Sequence, residues 1–367
     1  MIAVIADDLT GAAEIAGVAW RMGLSVRIDM TCPQKMVASD VLVIATDTRQ
    51  MQEEEASKAT SEIVSQLKSI FPTFSNLHLF KKTDSALRGN IVAELQTLMA
   101  ALGMNKALLL AQNPSKGRVI QDGRYEIDGT PLDETPFRND PEFPAWTSEA
   151  SQLLTNTHHL SLGSPIREGI NVADATSQED IFLQLNKADK DTLLAGAADL
   201  FTAFIQQFTN NTEAILPQNN RANIGKTVLL QGSTQSAPFG KGMKEMLMPD
   251  YVFHGDSPQK WIAELKECFK NEPSMAIRIP QSSEGGKAYA TRLRRTMAEA
   301  AKQILANRQT PTHVLIEGGA TAFAVLEKLG WNSLHVEKEI APGIVTLSHK
   351  NFLITLKPGS YSWPSGL

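Results

Sequence analysis

Thiol chemistry is scarce in this chain. Cys32 and Cys268 are its only cysteines in 367 residues and lie far apart. That excludes a disulfide framework and a thiolate zinc site, and it suits a reducing compartment. Histidine is also thin, at seven residues, and neither His158-His159 nor the others show metal-ligand spacing, so no metal ligand is assigned. Positive charge is not in surplus: 35 Lys and Arg stand against 40 Asp and Glu, a net charge of −5. This speaks against a nucleic-acid partner, though not against a local anion site. No apolar run approaches the ~20 residues of a membrane span. The opening MIAVIADD lacks the basic stretch of a signal peptide. The reading is a cytoplasmic protein that meets neither nucleic acid nor membrane. No internal repeat or low-complexity tract is visible; a homo-oligomer is compatible with the sequence.

What the chain does have is a run of short apolar strands, each ending in polar residues. Ile2 to Ile5 runs into Asp7-Asp8-Leu9-Thr10-Gly11 and then a helix-forming segment, Ala12 to Trp20. Val41 to Ala45 ends at Thr46-Asp47-Thr48-Arg49, Leu77 to Lys81 at Lys82-Thr83-Asp84-Ser85, and Lys106 to Ala111 at Asn113-Pro114. Helical periodicity over Glu53 to Ile70 and Asn90 to Leu102 separates them. This alternation predicts a mainly parallel sheet covered by helices, with ligands outside the carboxyl ends of its strands. Between Pro114 and Pro144, glycines and prolines punctuate short runs that read as hairpins beside the sheet.

The length exceeds one ordinary core. Residues 1–208 are expected to form one domain, the Asn- and Gln-rich 209–226 a linker, and 227–367 a second domain. The fold class is α/β, in two domains, each a mainly parallel or mixed sheet flanked by helices.

Several turns carry chemistry. The adjacent carboxylates Asp7 and Asp8 should repel one another and hold a cation, a hydroxyl or a proton; the plainer reading is that Asp8 or Thr10 caps the helix. The acids are not separated by one residue, as in haloacid-dehalogenase-type nucleophiles. Lys82, Asp84, Ser85, Arg88 and Asn90 share one strand-to-helix loop suited to a small hydroxylated acid, with Arg able to grip a carboxylate through two bonds. The plainer reading there is a solvated loop with Asn90 as cap. In the second half, Gly318-Gly319-Ala320-Thr321 follows a strand and opens a helix, good chemistry for phosphate, or simply close helix–strand packing. Gly232-Ser233-Thr234 is a weaker phosphate signal of the same type. Gly225-Lys226-Thr227 imitates a P-loop ending but precedes a strand and lacks the upstream glycine.

Taken in order, these pieces resemble the four-carbon acid sugar kinase family, whose members phosphorylate threonate, erythronate and 3-oxo-tetronate. ADDLTGA (Ala6 to Ala12), KKTDSALRGN (Lys81 to Asn90) and NPSKGRVIQDGRYEIDGTPL (Asn113 to Leu132) carry the likeness in the first half. QGSTQSA, EGGATA, APG and LKPG carry it in the second. Lys357-Pro358-Gly359-Ser360-Tyr361-Ser362 departs from the usual Lys-Ser-Gly-Asn-Phe-Gly, and Ala86 stands where Thr is common. The resemblance implies a kinase that moves the γ-phosphoryl group of ATP, with Mg²⁺, onto a terminal hydroxyl of a sugar acid. It assigns ATP contacts to Ser233, Gly318, Gly319, Ala320, Thr321 and Gly359. Arg88 and Lys82 would hold the acid, and Asp7 or Asp8 would orient or deprotonate the attacking hydroxyl. The rival readings are a sugar-acid or nucleotide sensor without catalysis and a Mg²⁺-dependent phosphatase.

Overall fold

The computed structural model describes residues 1–71, 77–140, 142–209, 224–232, 240, 242–280, 287–306, 308–359 and 361–364. The chain forms two compact units, Met1–Ile215 and Leu216–Leu367. Among the described residues, no helix is long and apolar enough to cross a membrane.

Unit 1 contains, in chain order, β1 (Ile2–Ala6), α1 (Leu9–Arg21), β2 (Val26–Asp29), β3 (Val41–Ala45), α2 (Glu53–Ile70), β4 (His78–Lys82), α3 (Ile91–Leu102) and β5 (Lys106–Leu110). It continues with β6 (Arg118–Gln121), β7 (Arg124–Ile127), β8 (Thr130–Pro131), α4 (Ala150–Leu153), β9 (Thr157–Leu160), β10 (Gly169–Ala173), α5 (Gln178–Leu185), β11 (Thr192–Gly196) and α6 (Ala198–Gln206). The main sheet has the order β2-β3-β1-β4-β11-β5-β10-β9, with every pairing parallel. β1 (IAVIA) and β3 (VLVIA) are buried along their whole length, as strands covered on both faces must be. β6, β7 and β8 form a separate antiparallel meander, in the stretch read as hairpins.

The connections decide where a ligand can sit. From β1 the chain crosses over β3 to β2; from β3 it crosses over β1 to β4. Right-handed crossovers running in opposite directions put α1 and α2 on opposite faces. Accordingly α1 packs beside α6 and α6 beside α5, whereas α2 packs beside α3. The chain therefore leaves β1 and its neighbour β4 in opposite directions, the point at which an open α/β sheet forms its crevice. Register completes the arrangement. Ala6 pairs with Ala45 and Lys82, Lys82 with Gly196, and Gly196 with Leu110, so these strand ends lie in one row. A methyl group on Gly196 would meet the Leu110 carbonyl oxygen at 2.1 Å, so glycine is what lets β11 lie this close to β5.

Unit 2 contains β12 (Lys226–Gln231), β13 (Lys244–Leu247), α7 (Asp250–Phe253), α8 (Gln259–Asn271), β14 (Ser274–Arg278), α9 (Lys287–Leu305), β15 (Thr312–Glu317), α10 (Gly319–Leu329), β16 (Ser333–Ala341), β17 (Ile344–His349) and β18 (Phe352–Lys357). Its strands follow the order β13-β14-β12-β15-β18-β17-β16. The sheet is mixed: β17 is antiparallel to both β18 and β16, and the other pairings are parallel. Here too the chain leaves adjacent strands, β12 and β15, in opposite directions.

Candidate active site

In unit 1 the loops after β1, β3 and β4 meet around one guanidinium. Asp8 is the N-cap of α1: its backbone is extended (φ −146°) and its Oδ1 accepts from the Gly11 N–H at 2.9 Å. The Thr10 hydroxyl donates to its other oxygen. Capping and clustering therefore coexist in one residue. Asp7, 1% exposed, turns the other way. Arg49 donates to it twice, Nε to Oδ2 at 2.8 Å and Nη2 to Oδ1 at 3.0 Å. The same Nη2 reaches Asp8 Oδ1 at 2.8 Å, and Nη1 lies 3.4 Å from Asp84 Oδ1. Burial works against the charge on Arg49, but Asp7, Asp8 and Asp84 hold its pKa well above the usual value.

The β4 loop supplies the rest. Arg88 grips Asp84 through two bonds, at 2.9 and 3.0 Å, and sends its remaining arm to Asp140 Oδ2 at 3.1 Å. The Ala86 N–H also donates to Asp84, at 3.0 Å. Although burial pushes the other way, Arg49 and Arg88 hold the Asp84 carboxyl well below the carboxylate range. Lys82 Nζ is buried, donates to the Thr83 carbonyl at 2.7 Å and lies 3.4 Å from Glu14 on α1. Glu14 also takes Lys116 at 2.6 Å; despite burial, the two ammonium groups lower its pKa. Thr83 Oγ1 is buried and has no hydrogen-bond partner among the described residues.

Asn90 is the last residue before α3, but its side chain makes no cap bond. Its amide instead donates to the Thr48 and Met51 carbonyls, both at 3.0 Å, fixing the loop that carries Arg49. Beneath that loop Lys81 and Glu94 form a buried ion pair at 3.1 Å, and Glu94 Oε1 accepts from the Thr48 hydroxyl at 2.6 Å. Ser85 faces the β6–β7 meander: its hydroxyl meets Arg118 Nη1 at 2.5 Å and its carbonyl accepts from the Tyr125 hydroxyl.

Asp7, Asp8, Asp84 and Arg88 therefore gather at one crevice, with Lys82 and Ser85 beside it. The residues that sequence reasoning missed are Arg49, Glu14, Asp140 and Arg118. Arg49 had a signal, since it follows β3 just as Asp7 follows β1. Glu14 had none, because it sits on a regular amphipathic helix. Among the described residues, no group of three or more His, Cys, Asp or Glu side chains is placed to hold a metal ion. Positive charge among the three aspartates is supplied by Arg49.

In unit 2, Gly318 takes the left-handed backbone that glycine permits (φ +93°) and opens α10, while its N–H donates to the Lys357 carbonyl at 2.9 Å. A methyl group on Gly232 would meet Thr321 Oγ1 at 2.3 Å, and one on Gly359 would meet Gly318 Cα at 3.9 Å. The turns after β12, β15 and β18 thus converge, with Gly319, Ala320 and Thr321 in the first turn of α10. Ser233 lies outside the described residues. Below the turns, Glu317 Oε2 accepts from Gln231 Nε2 and Trp363 Nε1, each at 2.9 Å, and lies 3.6 Å from Lys357 Nζ. Burial lowers the Lys357 pKa although Glu317 opposes the shift. Backbone N–H groups at a helix N-terminus beside glycine turns suit a phosphate chain.

Known proteins share both halves. Residues 2–204 match a sugar-binding N-terminal domain model and residues 261–361 a nucleotide-binding C-terminal domain model. The chain is 31% identical over 223 residues to a D-threonate kinase of Salmonella typhimurium, covering 54% of this chain and about half (52%) of that protein. It is 23% identical over 407 residues to a 3-oxo-tetronate kinase of Actinobacillus succinogenes, covering 98% and 96% of the two chains. Among solved structures, a Haemophilus influenzae protein superposes with a TM-score of 0.71 at 20% identity, covering 98% of this chain and 97% of that one. A Salmonella typhimurium protein superposes with a TM-score of 0.77 at 19% identity, covering 98% and 96%. At such identities the likeness is one of fold.

Proposed function

Since the chain belongs to the four-carbon acid sugar kinase family, we propose that it transfers the γ-phosphoryl group of ATP to a terminal hydroxyl of a four-carbon sugar acid. The observation that carries this reading is the pairing of two switch-point sites of opposite character. One is a charged crevice around Arg49 in the sugar-binding unit; the other is a glycine-lined helix N-terminus in the nucleotide-binding unit. Phosphoryl transfer asks little covalent chemistry of a protein; it needs positioning and charge stabilisation.

On this reading, Gly232, Gly318, Gly319, Ala320, Thr321 and Gly359 receive the phosphates of ATP, joined by Ser233. Mg²⁺ would ride on those phosphates and water, since Asp7, Asp8 and Asp84 are already engaged by Arg49. Asp8, whose side chain is 14% exposed against 2% for Asp7, is the acid that orients the substrate hydroxyl and takes its proton. Asp7 and Asp84 hold Arg49 in place. Arg88 shapes the crevice through Asp84 and Asp140 rather than standing free. Lys82, tied to Glu14, contributes field more than a free donor. Asn90 fixes the Arg49 loop.

ADP release from Mg-ATP, measured with D- and L-threonate, D- and L-erythronate and their 3-oxo forms, tests the proposal. Selective stimulation by one acid supports it and names the substrate. ATP binding without stimulation would favour a sensor, and hydrolysis of a phosphorylated acid without ATP would favour a phosphatase.

A further inference from the structure

Each of the other crevice cations described above has a carboxylate partner. Arg49 has Asp7, Asp8 and Asp84; Arg88 has Asp84 and Asp140; Lys82 and Lys116 share Glu14. Arg118 has no carboxylate partner among the described residues. Its contacts are the Ser85 hydroxyl at 2.5 Å, the face of Phe137 at 5.7 Å, and the neighbouring Tyr125 phenol. Arg88 lies over the same Phe137 ring, at 5.2 Å, so the ring carries both guanidiniums. Side chains on a strand alternate between faces, and Arg118 shares its face of β6 with Ile120, which is fully buried. Arg118 therefore points inward from the meander, onto the β4 loop.

An aromatic face and a neutral hydroxyl orient a guanidinium without neutralising it. We infer that Arg118 is the residue that anchors the carboxylate of the sugar acid, and so selects acids over neutral polyols. The inference deepens the kinase reading and rests on it for the identity of the ligand. It moves the carboxylate from Arg88 and Lys82, whose charges are matched inside the protein, to a crevice cation that has no carboxylate partner among the described residues. Arg118 would present two parallel N–H donors to a carboxylate, which Lys at the same position cannot.

The test uses the full chain and two readouts. Steady-state kinetics compares the best acid of the panel with its neutral amide, in the wild type, R118M and R118K. Calorimetry measures binding of D-threonate and D-erythronate without ATP. R118M should raise KM for the acid by about 10–100-fold, as expected for a hydrogen-bonded charge pair, and leave KM for ATP and for the amide unchanged. R118K should fall between. Melting temperatures and the amide kinetics separate loss of the anchor from loss of the fold. Turnover that R118M leaves unchanged, or an equal loss for acid and amide, overturns the anchor and leaves the kinase standing. Acid binding that R118M abolishes, in a protein that never turns over, overturns the kinase and leaves the anchor standing. A wild type that neither binds nor phosphorylates any of these acids overturns both.

Discussion

Replacing Arg49 by Ala should cost the protein a large part of its stability, by an amount that follows from what the side chain holds. Its guanidinium makes bonds of 2.8 and 3.0 Å to Asp7 and one of 2.8 Å to Asp8, and lies 3.4 Å from Asp84. Without it, Asp8 keeps the Gly11 N–H and Asp84 keeps Arg88, but Asp7 is left buried with no cation among these contacts. Orphaning one buried charge costs about 3–5 kcal/mol, against a total near 5–15 kcal/mol for an ordinary domain. R49K restores the charge without the fork and should lose roughly half as much. In a D7N background the orphaned charge is gone, so R49A should cost about 2 kcal/mol less than it does alone. The acid dependence has a definite sign. Asp84 is held well below its ordinary pKa, with burial opposed by Arg49 and Arg88. Its contribution to stability is therefore present above the unfolded value of ~3.9 and lost as the pH falls through the lower folded value. R49A lacks part of that contribution at pH 7, so its deficit should shrink below about pH 4. Urea unfolding at pH 7 and at the lowest pH where both proteins fold measures this. A deficit under about 1 kcal/mol at pH 7, or one that grows in acid, would refute the reasoning.

Other expectations are open to equally direct checks. Asp8→Asn keeps a good helix cap and removes the proton acceptor, so kcat should fall by about 10²–10⁴-fold with the melting temperature and ATP affinity retained; unchanged turnover removes Asp8 from the chemistry. Gly232→Ala puts a methyl group 2.3 Å from Thr321 Oγ1, so calorimetry should show weakened ATP binding with sugar-acid binding intact. His313, bonded to Thr355 Oγ1 at 2.7 Å, has its pKa lowered to about 4, by burial first and Lys338 second. A histidine kept neutral in this way loses stability as the pH falls from the unfolded value of ~6.5 towards 4, by about 1–3 kcal/mol. His313→Gln should flatten that slope in a pH series of unfolding curves.

Much of the fold was legible because its strands are nearly pure apolar runs. Val41–Ala45 and Glu53–Ile70 lie where hydrophobicity and helical periodicity put them, α3 and β5 differ from expectation by a residue at one end, and β4 (His78–Lys82) is shifted by one residue from the expected Leu77–Lys81. Several elements were not legible. β16 (SLHVEKEIA) carries charged residues and pairs antiparallel, so it lacks the run that marks a buried parallel strand. β11 was missed, and nothing local says that it inserts between β4 and β5. The clustering of Asp7, Asp8, Asp84 and Arg88 in one crevice was legible because each follows a strand in a short polar loop. Lys82 and Asn90 were read as substrate contacts from residue type; the structure gives Lys82 an internal partner in Glu14 and commits the Asn90 amide to two backbone carbonyls.

The sequence by itself determined that polar turns end the strands of an α/β protein, that its glycine turns suit phosphate, and that it resembles one kinase family. Those properties are local: a strand, its last residue and the turn after it are neighbours in the chain. Only the tertiary structure decided which charges are spent on one another. Arg49 meets Asp7 across 42 residues and Lys116 meets Glu14 across 102, because parallel register lines up strand ends that the sequence keeps apart. An ion pair depends on a few ångströms of separation, which residue type does not encode. For the same reason only the folded chain could place Arg118 against Ser85 and Phe137, with no carboxylate partner among the described residues.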